Sequence, residues 1–312
     1  MEINDYSYWI TLAHLPNWRV ERVNHLIFGL IDRLGVSLAE FFSSDTSIFQ
    51  GKFHLSEKEA KAIVQAKENL TDNSILVEEL LSQGFELIPF DSPGYPVTLK
   101  NNLRMKYSPT LLYVKGNTQL FFEDIVAIVG SRNVSDEGVE FTKRVVKKWT
   151  LERRVIVSGY AKGVDRIALK TAIENDGKGI VVLPQGILTF KSGFKNLHQH
   201  IIDGRVLVVS AYPPKAGWSA GLAMGRNAYI YGLAREIYVA ESGNKGGTWN
   251  GAIDGLRKGR KIFVRKATPK EKCANNELIA RGAIAVNDSG NVVKSLRDYN
   301  ERSEQKTLFE FQ

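Results

Sequence analysis

The chain has 312 residues, 43% hydrophobic and 24% charged, which is enough to bury a large core and excludes a disordered or fibrous protein. A formal net charge of +8 favours a polyanionic partner, and no run approaches the roughly eighteen apolar residues that a transmembrane helix needs. With Cys273 as its one cysteine the chain can form no internal disulfide or cysteine-built zinc site, and Met1 to Asp5 lack the marks of a signal peptide, so a reducing, cytoplasmic setting is expected.

From Tyr6 to about Leu81 apolar residues recur at spacings of three and four, as in Leu26, Leu30 and Leu34, then Ala62, Ile63, Ala66 and Leu70. This predicts a small all-helical domain over residues 1–84. Ser56 and Glu59 have capping-box spacing and would open the helix that carries Ala62 to Leu70. Residues 85–123 read as a connecting segment. It holds a short strand at Phe85–Pro89, turn chemistry at Ser92-Pro93-Gly94-Tyr95-Pro96, and a second strand at Leu111–Val114 that ends at Gly116-Asn117. The segment is expected as an edge strand or a lead-in to the main sheet.

Beyond Asp124, strands near 125–129, 154–158, 179–183, 205–209, 236–240, 260–264 and 283–286 alternate with helix-length segments. That rhythm predicts an α/β, Rossmann-like, mainly parallel sheet with helices on both faces over 124–288, followed by a flexible charged tail, 289–312. Right-handed crossovers bring all parallel strand ends to one rim.

The loops expected on that rim carry glycine with a hydroxyl, an amide or a cation. They are Gly130, Ser131 and Arg132; Ser158, Gly159, Lys162 and Gly163; Arg226 and Asn227, placed at or near a helix start; and Lys245, Gly246, Gly247 and Thr248. Glycines let backbone N–H groups approach an anion, and helix N-termini add partial positive charge. Arg132, Lys162 and Arg226, with Lys245 as a fourth, are expected to converge on one crevice, more cations than one mononucleotide needs and suited to a strand of phosphates. Asp165 reads as a loop-stabilising or capping carboxylate. Trp218 and Trp249 are candidates for base stacking, with core packing the alternative. Ser158 has no histidine in any rim loop to serve as its base, and His198 and His200, two apart on a helix, point to different faces.

On Gly130-Ser131-Arg132, Ser158-Gly159-Tyr160-Ala161-Lys162-Gly163-Val164-Asp165, Gly225-Arg226-Asn227 and the glycine-rich loop to Thr248, the chain resembles the DNA-processing protein A family (DprA, also called Smf). The resemblance runs over roughly residues 6 to 266. It implies a single-stranded DNA binder without catalysis or cofactor, which protects the strand and helps a RecA-type recombinase load. Arg132 falls on the family's DNA-contacting arginine, Lys162 on a second basic contact, and Arg226 and Asn227 on its Arg-Asn pair. A homodimer is implied too. The chain departs from the family at Leu169, near a usual histidine, and at Pro184-Gln185-Gly186, and about 26 residues after Val286 are too few for the family's C-terminal winged helix, so a divergent member is expected.

Near the end of the tail, Gln305, Leu308 and Phe309 resemble the peptide by which bacterial replication and repair proteins dock on the sliding clamp, an amide in one sub-pocket and two apolar anchors in another. A rival reading is a nucleotide sensor or nucleotide-processing enzyme of the LOG type. The catalytic glutamate of that group would fall near Gly251, at the end of Gly246-Gly247-Thr248-Trp249-Asn250-Gly251, which argues against hydrolysis.

Overall fold

The computed structural model describes residues 3–293. The chain opens with six α-helices: α1 (Ile3–Ala13), α2 (Val20–Phe28), α3 (Leu38–Ser43), α4 (Thr46–Gly51), α5 (Glu57–Lys67) and α6 (Leu70–Ser82). Their starts are written locally. Ser37 with Glu40 and Ser56 with Glu59 form reciprocal capping boxes at α3 and α5, and the Asp45 carboxylate accepts from the Ile48 N–H at α4. Leu26, Leu30, Ile63 and Ala66 are buried as their spacing predicts, but Leu34 is 49% exposed. A π turn, Gly29–Arg33, follows α2 and shifts the chain out of the α-helical period before Leu34 is reached.

Among the described residues nine strands make one sheet: β1 (Glu86–Pro89), β2 (Leu111–Gly116), β3 (Ile125–Val129), β4 (Val155–Ser158), β5 (Gly179–Val182), β6 (Val206–Ser210), β7 (Glu236–Val239), β8 (Ile262–Arg265) and β9 (Ile284–Val286). Their order is β1-β2-β6-β5-β4-β3-β7-β8-β9. The β1–β2 and β2–β6 pairs are antiparallel and every other pair is parallel. Residues 85–123 therefore extend the sheet itself through β1 and β2, and also carry α7 (Val97–Tyr107). The buried Asn24 side chain fastens α2 to this segment, donating to the Met105 and Ser108 carbonyls and accepting from the Thr110 hydroxyl.

The central strands are apolar on both faces, as strands covered on both sides must be. Val126 and Ile128 of β3 face a cluster with Phe141, Val145, Val164 and Ala168, from α8 (Asp136–Leu151) and α9 (Val164–Glu174). Ile125, Ala127 and Val129 face the opposite cluster, which takes in Leu99 and Leu103 of α7, Ile230 of α11 (Ala220–Leu233) and Ala252 of α12 (Gly247–Arg257). The N-terminal helices share a cluster with Leu111 and Tyr113 of β2, Val181 of β5 and Val208 of β6. The chain runs from β3 outward through β4 and β5 to β6, then crosses back to place β7 on the other side of β3. The carboxyl ends of β3 and β7 thus flank a topological switch point, where open α/β sheets bind ligands.

Candidate nucleic-acid interface

The loops after β3 and β4 lie one on the other. At Gly130 a Cβ would stand 2.5 Å from a Val164 methyl group, and Gly163, at φ +85°, brings its α-carbon where a Cβ would meet the Ser131 carbonyl at 2.3 Å. The Val164 N–H donates to that carbonyl at 3.2 Å. From the other side of the switch point, Glu241 braces the first loop. Its backbone carbonyl accepts from the Ser131 N–H at 2.9 Å, and its carboxylate accepts from the N–H and hydroxyl of Ser135, the residue that caps α8.

Arg226 sits in the middle of α11, not at its start, and is only 3% exposed. Its guanidinium lies over Gly159, where a Cβ would fall 1.1 Å from a guanidinium nitrogen, and approaches the Asp165 carboxylate at 3.8 Å. Burial pulls the Arg226 pKa down and pushes that of Asp165 up, and in each the partner's opposite charge works against the shift. Nε and one terminal nitrogen of Arg226 have no hydrogen-bond partner.

Above this pair opens a cavity of about 440 Å³. Gly130, Ser131, Arg132, Arg226, Asn227, Lys245, Gly246, Gly247 and Thr248 all line it. The Arg132 and Lys245 side chains are exposed at it, whereas Arg226 belongs to its buried floor. Trp218, 55% exposed, lines the same space with the Arg132 guanidinium 6.0 Å from its ring centre, which sets aside the core-packing alternative. Trp249 is half-buried against the core beneath Arg281.

Four expected site residues stand elsewhere, each for a physical reason. The buried Ser158 hydroxyl donates to the Ile128 carbonyl at 2.7 Å and is already satisfied. Gly159 is the seat of Arg226, and Gly163 the seat of the β3 loop. Lys162 is exposed beside Ala161, which lines the cavity, but does not itself line it. The sequence reading missed Tyr231, which lines the cavity with its hydroxyl buried and unpartnered. The signal was its position four residues after Asn227, on the same helix face. Gln305, Leu308 and Phe309 lie outside the described residues. No helix among the described residues is long and apolar enough to cross a membrane.

The family model of DNA recombination-mediator protein A matches residues 86–297. The DNA processing protein DprA of Streptococcus pneumoniae is 32% identical over 188 residues, 60% of this chain and 66% of that protein. Its Bacillus subtilis counterpart is 28% identical over 222 residues, 70% of this chain and 73% of that one. The solved structure of the pneumococcal protein superposes with a TM-score of 0.65 at 25% identity, covering 92% of this chain and 95% of the other. The Helicobacter pylori DNA processing protein A shares the fold, with a TM-score of 0.55 at 21% identity over 71% of this chain and 96% of that one. With the family match spanning the sheet from β1 to β9 and both lips of the switch-point cavity, the chain belongs to the DNA recombination-mediator protein A (DprA/Smf) family.

Proposed function

We propose that this chain binds single-stranded DNA at the switch-point cavity, without reading its sequence. Arg132 and Lys245 take backbone phosphates, Lys162 beside them takes another, and the exposed face of Trp218 stacks a base. The observation that carries this reading is the meeting of two exposed cations and an exposed tryptophan at one cavity on a basic chain. Base stacking on an aromatic platform beside a positively charged track is how sequence-tolerant single-strand binders work, because phosphates position the strand and every base has a stacking face. The N-terminus of α12, opened by Gly246 at φ +95°, adds backbone N–H groups at the same lip. The Helicobacter pylori relative has been solved for its single-stranded DNA binding mode, which supports the same ligand here.

Arg226 and Asp165 serve this site as a structural floor. The carboxylate is neutralised by the guanidinium beside it, and the loop position that would hold a LOG-type acid is Gly251, so the reading is of a binder without catalysis. Handing the strand to a RecA-type recombinase, dimerisation, and clamp docking through Gln305, Leu308 and Phe309 belong to the same proposal and rest on resemblance. Titration of a fluorescent single strand against duplex and mononucleotide competitors tests it. Unlabelled single strand should compete best, duplex weakly, and mononucleotide hardly at all. A mononucleotide that competes as well as the strand would instead support the LOG-type sensor.

A further inference from the structure

The switch-point cavity does not end at α11. A second cavity of about 250 Å³ runs between α11 and α12, and Met224, Asn227, Tyr231 and Gly247 line both. On its α12 wall, Gly251 and Gly255 let the helix pack closely on Tyr231 and Ile262, since an added Cβ would stand 3.1 Å from the Tyr231 hydroxyl and 2.8 Å from Ile262. No side chain projects from those two positions. Beneath them the Tyr231 hydroxyl is buried with no hydrogen-bond partner. The Asn250 side chain is exposed along the same wall. At the far end the groove reaches Lys258, whose ammonium sits 4.6 Å from the ring centre of Tyr107, and Lys106 flanks the same ring at 5.4 Å. Tyr107 is 46% exposed. The groove's acid, Asp254, is paired with Lys258 at 2.7 Å, and Lys106 and Arg260 leave that end positive.

The two ends are chemically alike, each an exposed aromatic ring beside a cation. Along α12, Gly247 and Lys258 are about 16 Å apart at the α-helical rise of 1.5 Å per residue. We infer that the α11–α12 groove carries the single strand onward from the switch-point cavity to a second anchor at Tyr107, where a base stacks and Lys106 and Lys258 meet the backbone. This rests on the single-strand reading of the first cavity. It adds a direction for the strand, a longer footprint and a second set of contacts.

The test compares oligothymidylates of about 4 and about 16 nucleotides on the full chain, a range that spans one short site and an extended one. The longer strand should bind more tightly. Tyr107→Ala should weaken the long strand by about tenfold, the size of one lost base stack, and leave the short strand within about twofold. Tyr107→Phe should restore the long-strand affinity. Lys106→Met should lower the salt slope by about 0.7 for the long strand alone. Arg132→Ala, at the first cavity, should weaken both lengths. Unchanged long-strand affinity in Tyr107→Ala, or an equal loss on both lengths, would overturn the inference while leaving single-strand binding intact. Failure of the unaltered protein to bind either length would sink the underlying reading instead.

Discussion

Gly159→Ala probes the floor of the site without touching any exposed cation. The added methyl would fall 1.1 Å from one Arg226 nitrogen, 2.1 Å from the central guanidinium carbon and 2.4 Å from the second nitrogen. The guanidinium must therefore leave its seat. Overpacking of this kind costs about 1–3 kcal/mol. For a chain of this size that is a fall in Tm of roughly 1.5–4.5 °C. Differential scanning fluorimetry reads it directly. A double-mutant cycle with Arg226→Met then isolates the cause, because without the guanidinium the methyl has room. Gly159→Ala should cost almost nothing in that background, which gives a coupling of about 1–3 kcal/mol. An equal cost in both backgrounds would show that something other than Arg226 fills the space, and the description of the floor would be wrong.

Three further outcomes follow from the same structure. Burial pushes the His14 imidazole down to about 4, and its ring nitrogen is 2.8 Å from the Tyr113 hydroxyl. A depressed folded-state value means that the stabilisation is complete above the ordinary 6.5 and is lost as pH falls through about 4, so Tm should drop across that window and His14→Gln should flatten the drop. Glu59 is held down to about 2, first by its hydrogen bond from Arg22, so its contribution is present above 4.5 and lost as pH falls toward 2. Glu59→Gln should remove that limb of the acid-unfolding curve, and because the pair is partly exposed the effect should shrink in high salt. Trp218→Ala should weaken single-strand binding by about 1–3 kcal/mol with an unchanged salt slope, and a changed slope would mean that the ring acts through Arg132 rather than by stacking.

The sheet was legible because its strands are apolar runs rich in β-branched residues, such as Ile125–Val129, which ends at Gly130, and Val206-Leu207-Val208-Val209, which ends at Ser210. The rim was legible for the same reason, since parallel strands fix which loops share an edge. What local pattern could not supply was direction. Ser158 looks like a ligand hydroxyl at a strand end, yet its partner is a carbonyl on the neighbouring strand. Gly159 looks like a phosphate loop glycine, yet it is small because of Arg226, far along the chain. The placement of Arg226 at a helix start overlooked Ser219, whose hydroxyl accepts from the Leu222 N–H and begins α11 at Ala220, two turns earlier. Residues 85–123 read as an edge strand or a lead-in to the sheet, and β1 is an edge strand; the antiparallel partner of β2 was not legible, because β6 lies well beyond the segment.

The salt dependence of single-strand affinity is the most direct measure of whether exposed cations at the switch point hold a phosphate chain. On a strand short enough to occupy the switch-point cavity alone, Arg132, Lys162 and Lys245 each engaging one phosphate gives a slope of log affinity against log salt of about −2, at roughly 0.7 per phosphate, with Arg226 excluded by its burial and its pairing to Asp165. Arg132→Ala should bring the slope to about −1.4 and weaken binding by a similar factor on every sequence. A slope near zero, or an Arg132→Ala protein with unchanged affinity and slope, would contradict the placement of the strand at this cavity.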